Sequence, residues 1–466
     1  MKKMTINWQE EVAKVKDDYL NDLYTLLRIP SFREDDKATE EAPLGPGPKA
    51  ALDAFLAMVD RDGFTSKNVA NMAGRFEFGQ GDEILGIIGH LDVVPVDDSW
   101  ETDPFEPTLI DGKLYARGVS DDKGPMLAAY YALKIIRDLD LPVSKKVHFI
   151  VGTDEESEWK GLTRYLETEP LPDFGFSPDA EFPIINGEKG MYSTTLKFPA
   201  LEGAIESFES GIRENMVPGD ADAVIKGFDL EEVQAAAEEF QAKQPVSLTV
   251  EASADNKIHL HLHGRVSHGA FPEAGENAAT YLALFLKNLS SDLEGNSYIS
   301  FIANLLHQDF KGQKTGIDHH DEVMGDLSLN PGVFGAKDGQ QFVTLNIRFP
   351  QGQSFEQLDK SFSQLGDQFG FAQETGTSNK VPHYVPGDDP LVQTLLEVYE
   401  EHTGMEGHEV VIGGGTYGRL MERGVAFGAE FPDEVSTMHE PNEVQRVDRL
   451  LLTMAIYADA IYRLIK

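Results

Sequence analysis

The sequence contains no cysteine among its 466 residues. This absence excludes disulfide bonds, thiolate catalysis and cysteine-rich zinc sites, so any bound metal would need imidazole and carboxylate ligands. Basic residues are also few, with 40 Lys and Arg against 79 Asp and Glu, and the formal net charge is -39. Because a surface of this sign repels phosphate backbones and anionic lipids, we expect no nucleic-acid partner.

Long apolar runs are missing as well. No segment reaches the length of a membrane span, and residues 1–16 lack the continuous apolar core of a secretory signal. We therefore expect a cytoplasmic protein with no membrane partner. The hydrophobic content of 41% is sufficient for a large core, and the chain length indicates two or three domains.

The pattern of apolar residues changes twice along the chain. Up to residue 189, helical spacing over 8–27, 49–62 and 126–139 alternates with short apolar runs at 84–89, 147–152 and 174–177. This alternation predicts an α/β domain with a mixed, mainly parallel sheet and helices on both faces. A Pro- and Gly-rich segment, 42–48, predicts a loop before the second helix.

A different pattern fills the middle of the chain. Period-two alternation at 246–251, 258–262 and 342–347 is typical of half-exposed antiparallel strands. From about residue 390 the first pattern returns, with helices at 391–402 and 447–465 and strands at 410–412 and 425–429. We predict one discontinuous domain, residues 1–189 and 383–466, interrupted by an inserted α+β domain at residues 190–382.

Residues with metal-ligand chemistry follow the predicted strands of the discontinuous domain. These residues are His90 and Asp92, then Asp154, Glu155 and Glu156, then Asp179, and finally His439 beyond a loop. Ligands of an open α/β sheet bind beyond the carboxyl ends of its strands, so we expect these side chains to converge. Asp121 and Asp122, in the loop 118–124 before a helix, are a further contribution.

Adjacent carboxylates repel one another unless a cation lies among them. Imidazole combined with carboxylate suits zinc or manganese better than calcium or magnesium. Asp92, two residues after His90, is placed to accept the second N–H of that imidazole. Each feature alone has a plainer interpretation, since a single His-x-Asp is commonly a surface pair and three adjacent acids can form a solvated turn.

Five motifs considered together resemble the M20 metallopeptidases. They are GHLDVVP (89–95), GVSDDKGP (118–125), GTDEESEW (152–159), SPDAEFP (177–183) and MHEPNE (438–443). Three further segments resemble the PepV-type bacterial dipeptidases within that family: NGEKG (186–190), HYVPGDDP (383–390) and VIGGGTYGR (411–419). The resemblance covers nearly the whole chain.

The resemblance implies two divalent metal ions per chain, Zn or Mn, with the ligands His90, Asp121, Glu156, Asp179 and His439. Asp121 would bridge both metals, His90 and Asp179 would complete one site, and Glu156 and His439 the other. Glu155 would act as the general base, Asp92 would orient His90, and a cis peptide would follow Asp121.

The inserted domain resembles the lid of these enzymes, which closes over the substrate. His268 would hydrogen-bond the oxyanion of the tetrahedral intermediate, while Asn215 and Arg348 would hold the substrate and its carboxylate. Arg348 ends an alternating strand, where a solvated arginine is common. The expected substrate is a small peptide, above all a dipeptide, with deacylation or desuccinylation of N-acyl amino acids as the alternative. The resemblance also predicts a monomer.

Two other patterns invite different functions. Gly413, Gly415 and Gly418 satisfy Gly-x-Gly-x-x-Gly, the signature of dinucleotide binding, but the helical stretch after them is too short for a Rossmann crossover. The backbone N–H groups of Gly414 and Gly415 could instead contact the substrate, or the loop could be a tight turn. Three alternating histidines at 259, 261 and 263 predict a solvated strand face. A non-catalytic binding protein is a third possibility, and the presence of Glu155 argues against it.

Overall fold

The structure is a computed structural model that describes residues 6–200, 203–337 and 340–466. The chain divides into two compact units. Unit 1 contains the residues up to Gly187 together with Tyr384–Val410 and Gly415–Lys466, and unit 2 contains Glu188–His383 and Val411–Gly414. Residues 411–414 thus group with unit 2, whereas the sequence pattern assigns them to the segment 383–466.

The α-helices are α1 (Trp8–Leu27), α2 (Pro46–Arg61), α3 (Lys123–Asp138), α4 (Lys160–Thr168), α5 (Leu230–Gln241), α6 (Ala278–Leu289), α7 (Ser291–Glu294), α8 (Ser297–Phe301), α9 (Phe355–Phe369), α10 (Pro390–Thr403) and α11 (Val447–Ile465). Short 3₁₀ turns occur at Asp35–Lys37, Ala254–Asn256, Pro272–Ala274 and Tyr417–Leu420, and a π-helical turn at Ile302–Leu306. Within the described ranges, every helix is too short or too polar to cross a bilayer.

The first strands along the chain are β1 (Ser66–Val69), β2 (Ala73–Gly79), β3 (Ile84–His90), β4 (Thr108–Ile110), β5 (Lys113–Tyr115), β6 (Lys146–Gly152), β7 (Phe174–Ser177), β8 (Ala180–Glu181) and β9 (Gly187–Glu188). Those of the middle segment are β10 (Gly190–Phe198), β11 (Ile205–Ser210), β12 (Met216–Val217), β13 (Asp220–Lys226), β14 (Ser247–Ser253), β15 (Lys257–His263), β16 (Ser267–His268), β17 (His320–Asp321), β18 (Gly325–Asp326), β19 (Ser328–Lys337), β20 (Gln340–Phe349) and β21 (Ala372–Thr375). The last are β22 (His383–Tyr384), β23 (Val411–Ile412), β24 (Arg423–Ala426), β25 (Ala429–Glu430) and β26 (Val444–Arg446).

The main sheet of unit 1 has six strands in the order β1-β2-β6-β3-β7-β24. The neighbours from β6 to β24 are parallel, and β1 and β2 add an antiparallel edge. Side chains alternate between its two faces: Phe149 and Val151 join the large core formed with α1, α2, α3 and α11, whereas Ile150 packs with Leu162 and Tyr165 of α4. The prediction of a mixed, mainly parallel sheet with helices on both faces is confirmed.

Unit 2 is built on an eight-stranded antiparallel sheet in the order β14-β15-β13-β11-β19-β20-β10-β21. Buried and half-exposed residues alternate along β10 and β15, and the buried ones pack with apolar residues of α5, α6, α8 and α9. The prediction of an α+β fold here is confirmed. The histidines at 259, 261 and 263 lie on the half-exposed or exposed face of β15, as predicted.

Several element boundaries differ from the prediction, and three of the differences bear on unit 1. Helix α2 begins at Pro46, inside the predicted loop, because proline at the first helical position has the required φ and no N–H to satisfy. Helix α3 begins at Lys123 rather than at residue 126. The predicted strand 425–429 is split, since Gly428 has a φ of 79°, which no strand residue adopts; β24 ends before it and β25 begins after it.

Candidate metal centre

The parallel strands of unit 1 bring the predicted ligands to one edge of the sheet. His90 is the last residue of β3, Glu155 and Glu156 follow the end of β6, and Asp179 follows the end of β7. Because β3 lies between β6 and β7, these four residues leave the sheet side by side. Asp121 is in the loop that leads into α3, and the peptide bond from it to Asp122 is cis, as the resemblance implies.

Asp121 lies at the middle of the cluster and contacts both histidines. Its Oδ1 is 2.8 Å from His90 Nε2, and its Oδ2 is 2.8 Å from His439 Nε2. Each histidine has a second carboxylate neighbour. The His90 Nε2 is 3.5 Å from an oxygen of Asp179, and the His439 Nε2 is 2.9 Å from an oxygen of Glu156. The contacts therefore form two sets that share Asp121: His90 with Asp179, and His439 with Glu156.

Glu155 lies beside the same cluster. Ligand atoms of His90, Glu155 and Asp179 all lie within 4.8 Å of one another, and the same holds for His90, Asp121 and Glu156. Burial, together with the nearby charge of Asp179, raises the pKa of Glu155 well above its usual value. The pKa of Glu156 rises to about 8, from burial and from the charge of Asp121.

The pKa values of the two imidazoles are also raised, but here the neighbouring carboxylates are the cause. Hydrogen bonds with Asp121 and Glu156 raise the pKa of His439 to about 11. Burial alone would lower the pKa of His90, but the charge of Asp179 and the hydrogen bond with Asp121 outweigh it and raise that pKa. The same histidines lower the pKa of Asp121, although its burial acts against this.

The composition of the cluster fits a pair of divalent cations. Five carboxylates, those of Asp121, Asp122, Glu155, Glu156 and Asp179, crowd around two imidazoles. The Oδ1 atoms of Asp92 and Asp122 are buried and lack a hydrogen-bond partner among the described residues. Such crowding is costly unless cations compensate it, and nitrogen combined with carboxylate oxygen suits zinc and manganese.

Asp92 orients His90 in a manner that differs in part from the prediction. The Nδ1 of His90 is 3.0 Å from the main-chain oxygen of Asp92 and 3.5 Å from its carboxylate. Because a carbonyl oxygen only accepts, Nδ1 carries the proton and Nε2 is left to face Asp121. The carboxylate of Asp92 instead accepts the backbone N–H of Glu156, at 3.1 Å. Asp92 thus connects the loops that present two of the predicted ligands.

Asp154 is not part of the cluster, although the sequence places it beside Glu155. One of its oxygens is 3.2 Å from Arg33 Nη1, and the other accepts the backbone N–H of Lys160 at the start of α4. The expected crowding of three adjacent acids therefore concerns only Glu155 and Glu156.

Sequence reasoning missed Glu443, which is fully buried behind Asp121. Its Oε1 accepts the backbone N–H groups of Ser120 and Asp121, at 2.7 and 3.2 Å. Its Oε2 accepts the N–H of Gly118 and Nη1 of Arg117, both at 2.9 Å. Arg117 also donates to the main-chain oxygen of His439, at 3.4 Å. The only signal in the sequence was the position of Glu443 at the end of the motif MHEPNE.

Asp122 was also left without a role. It is fully buried, and its Oδ2 accepts the backbone N–H of His90, at 3.1 Å. A Cβ atom at Gly89 would be 2.7 Å from that oxygen, so the glycine before His90 is required by this close approach. The contact fixes the end of β3 against the loop that carries Asp121.

The predicted substrate-binding residues of unit 2 lie near one another. His268 in β16 pairs with Met216 in β12, the residue after Asn215, and the N–H of Gly269 donates to the main-chain oxygen of Asn215, at 2.7 Å. Burial, together with the charge of Arg348, lowers the pKa of His268.

The glycine loop has a different role from the one that its spacing suggests. The main-chain oxygen of Gly413 accepts a hydrogen bond from Arg348 Nη1, at 3.0 Å. After Gly414 and Gly415 the chain forms only the 3₁₀ turn Tyr417–Leu420, which is too short to be the crossover helix of a dinucleotide site. Contact of Gly414 and Gly415 with a substrate stays a prediction.

The fold and the site together define a metal-dependent hydrolase of the peptidase class. Residues 86–463 match the model of peptidase family M20/M25/M40, and the chain belongs to this family. It is 44% identical over 470 residues to the Beta-Ala-Xaa dipeptidase of Lactobacillus delbrueckii subsp. lactis, and the match covers 99% of each chain.

Solved structures show the same fold at low sequence identity. Human carnosine dipeptidase 1 superimposes with a TM-score of 0.57 at 16% identity, covering 98% of each chain. The M20 metallo-carboxypeptidase Sso-CP2 of Sulfolobus solfataricus gives a TM-score of 0.58 at 19% identity, covering 96% of this chain and 99% of the other.

Proposed function

We propose that the protein is a dipeptidase that hydrolyses free dipeptides with two divalent metal ions, Zn or Mn. The observation that carries the proposal is the position of Asp121, whose two oxygens face two different histidines, each with its own second carboxylate. The similarity to a Beta-Ala-Xaa dipeptidase over the full chain supports dipeptides, including β-alanyl dipeptides, as the substrates.

In this proposal the residues that would hold the metals are His90 and Asp179 for one ion and Glu156 and His439 for the other, with Asp121 contributing to both. When bound, the cations would polarise the scissile carbonyl and make a water molecule more acidic. Glu155 takes the proton from the attacking water and passes one to the leaving amine. Its raised pKa favours the first of these steps, because a carboxylate whose conjugate acid has a higher pKa is a stronger base.

His268 is suited to donate a hydrogen bond to the oxyanion. Its Nδ1 accepts the backbone N–H of Ala270, at 3.3 Å, so the neutral ring carries its proton on Nε2. The lowered pKa keeps the ring neutral near pH 7. Arg348, which is oriented by Asn346 Oδ1 at 3.0 Å and by Gly413, supplies the positive charge that the C-terminal carboxylate of a dipeptide requires.

We also propose that Asn215 of unit 2 is a further substrate contact beside His268 and Arg348, as the resemblance implies. Fixed partners for both the scissile carbonyl and the C-terminal carboxylate would restrict the leaving group to a single residue. A metal centre of this kind could also cut an N-acyl amino acid, and substrate comparison separates the two activities.

The test compares hydrolysis of a dipeptide, a tetrapeptide and an N-succinyl amino acid by the full-length protein after loading with Mn²⁺ or Zn²⁺. We expect hydrolysis of the dipeptide alone, loss of activity with a chelator, recovery on addition of metal, and two metal atoms per chain by elemental analysis. Preferred cleavage of the succinyl compound would show a desuccinylase instead.

A further inference from the structure

Large apolar side chains are exposed to solvent around His268 in unit 2. Met216 is 40% exposed, Val266 is 59% exposed and Phe271 is 61% exposed. Val266 and Phe271 lie within three residues of His268 along the chain, and Met216 is paired with it across the strands. Clustered apolar exposure of this kind is typical of a binding surface rather than of an ordinary protein surface.

The two-stranded ribbon of β12 and β16 determines which side chains share a face. Met216 is directly opposite His268, and Val217 is opposite Ser267. Directly opposed residues project to the same side, and successive residues project to opposite sides. Val217 is only 1% exposed, so its side is the inner face. Met216 and His268 therefore occupy the outer face.

Phe271 extends this outer face. Its ring centroid is 6.5 Å from that of His268, and its backbone N–H donates to the main-chain oxygen of His268, at 2.9 Å. The connecting turn is held by main-chain atoms of Phe271, because Ser267 Oγ also donates to its carbonyl oxygen, at 3.1 Å. The phenyl ring itself is the exposed part.

A cationic group lies close to the same histidine. The charge of Arg348 lowers the pKa of His268, after the effect of burial. Between them lies Gly413: its oxygen accepts a hydrogen bond from Arg348, and a Cβ built on it would be 2.9 Å from the Cβ of Ala270. The neighbourhood of His268 therefore combines a polar donor, the exposed apolar side chains and a guanidinium group that is itself buried, since Arg348 is only 6% exposed.

We propose that Met216 and Phe271 bind the side chain of the substrate's C-terminal residue and make the enzyme selective for dipeptides with an apolar C-terminal residue. This inference rests on the proposed function. In a dipeptide the C-terminal residue connects the carbonyl that His268 would contact to the carboxylate that Arg348 would bind, so its side chain starts between those two groups. An apolar side chain there covers the exposed surface of Met216 and Phe271 and is itself removed from water.

The test measures kcat/KM for Ala-Ala, Ala-Leu and Leu-Ala with the metal-loaded wild type and with Phe271→Ser and Met216→Ser. In the wild type we expect a preference for Ala-Leu over Ala-Ala of roughly tenfold or more, as is usual when an apolar pocket discriminates by several methylene groups. We expect each variant to reduce that ratio to roughly twofold, while the ratio of Leu-Ala to Ala-Ala stays at its wild-type value. A ratio within one variant is independent of the fraction of folded, active enzyme.

Val323→Ser is the matched control, because Val323 is 48% exposed in the turn between β17 and β18 of the same unit. It should leave all ratios unchanged. Unaltered Ala-Leu selectivity in both Phe271→Ser and Met216→Ser would overturn the inference, and so would a shift confined to Leu-Ala, which would assign the surface to the N-terminal side chain. If the wild type cleaves no dipeptide, the proposed function itself fails.

Discussion

Replacement of Glu443 by Gln should lower the folding stability of unit 1 and the affinity of its candidate metal centre for metal. The carboxylate of Glu443 accepts four N–H groups with its two oxygens, those of Ser120 and Asp121 on one side and those of Gly118 and Arg117 on the other. A glutamine keeps one acceptor oxygen. Its amide nitrogen would face two N–H groups, and both of those hydrogen bonds would be lost.

The magnitude follows from the burial of this network. Glu443 is 0% exposed and Arg117 is 2% exposed, so in the variant the Arg117 charge is left buried without its anionic partner. Loss of one member of a buried ion pair costs about 3–5 kcal/mol of folding free energy. The amide nitrogen would face either the N–H of Asp121 or the guanidinium of Arg117, which also donates to the oxygen of His439, so we expect weaker metal binding together with lower stability.

The assay is a double-mutant cycle on metal-free protein, with urea denaturation of the wild type, Glu443→Gln, Arg117→Met and the double variant. The double variant should be destabilised by less than the sum of the two single changes, because it buries no unpaired charge. Calorimetric titration with Mn²⁺ or Zn²⁺ measures the effect on the metal centre. The reasoning would be refuted if the losses of unfolding free energy in the two single variants added up to the loss in the double variant. It would also be refuted if Glu443→Gln lost less than about 1 kcal/mol, because a single hydrogen bond between neutral groups contributes that much to stability.

Three further predictions concern unit 1. Glu155→Gln should lower turnover by roughly 10²–10⁴-fold, the usual contribution of a general base, with the metal content by elemental analysis unchanged; wild-type turnover would remove Glu155 from the mechanism. Gly152→Ala should lower the free energy of unfolding by about 1–3 kcal/mol, because the added Cβ would be 2.6 Å from Tyr417 Oη. Gly295 is exposed, and a Cβ there would have no atom nearer than 3.5 Å, so the control variant Gly295→Ala should show no such loss. Burial lowers the pKa of His148 from 6.5 to about 4, so between those values the unfolded chain binds a proton that the folded chain does not, and stability rises with pH. His148→Gln should remove up to about 1.4 kcal/mol per pH unit of that rise in thermal or urea denaturation, and an unchanged slope would contradict the assignment.

Much of the centre could be predicted from strand ends. His90 directly follows one short apolar run and Asp179 lies two residues after another, and parallel neighbouring strands place such residues at one edge whatever the intervening chain length. The sequence does not show in which direction each side chain of a turn points. Glu155 and Glu156 face the cluster while Asp154 faces Arg33, because the turn after β6 rotates successive side chains apart.

Residues that position the loops around the cluster were harder to predict than residues with metal-ligand chemistry. Asp122 and Glu443 are ordinary acids in sequence, and their roles depend on backbone N–H groups that only the folded loops bring within reach. Every residue except proline has a backbone N–H, so a carboxylate that accepts one has no partner that can be recognised from the sequence. Pattern reasoning therefore found the side chains with the chemistry of metal ligands and missed those that hold loops in place.

The two histidines of the centre are positioned by different means, and this explains why Glu443 is needed. His90 ends a central strand, its side chain is 0% exposed, and the sheet itself fixes its backbone. His439 lies in a loop with a φ of 63°, and its side chain is 54% exposed. No strand can hold it, so its backbone depends on contacts such as the hydrogen bond from Arg117, whose charge Glu443 compensates. Since Glu443 also accepts the N–H of Asp121, one buried carboxylate connects Asp121, at the middle of the cluster, to His439, whose backbone no strand holds.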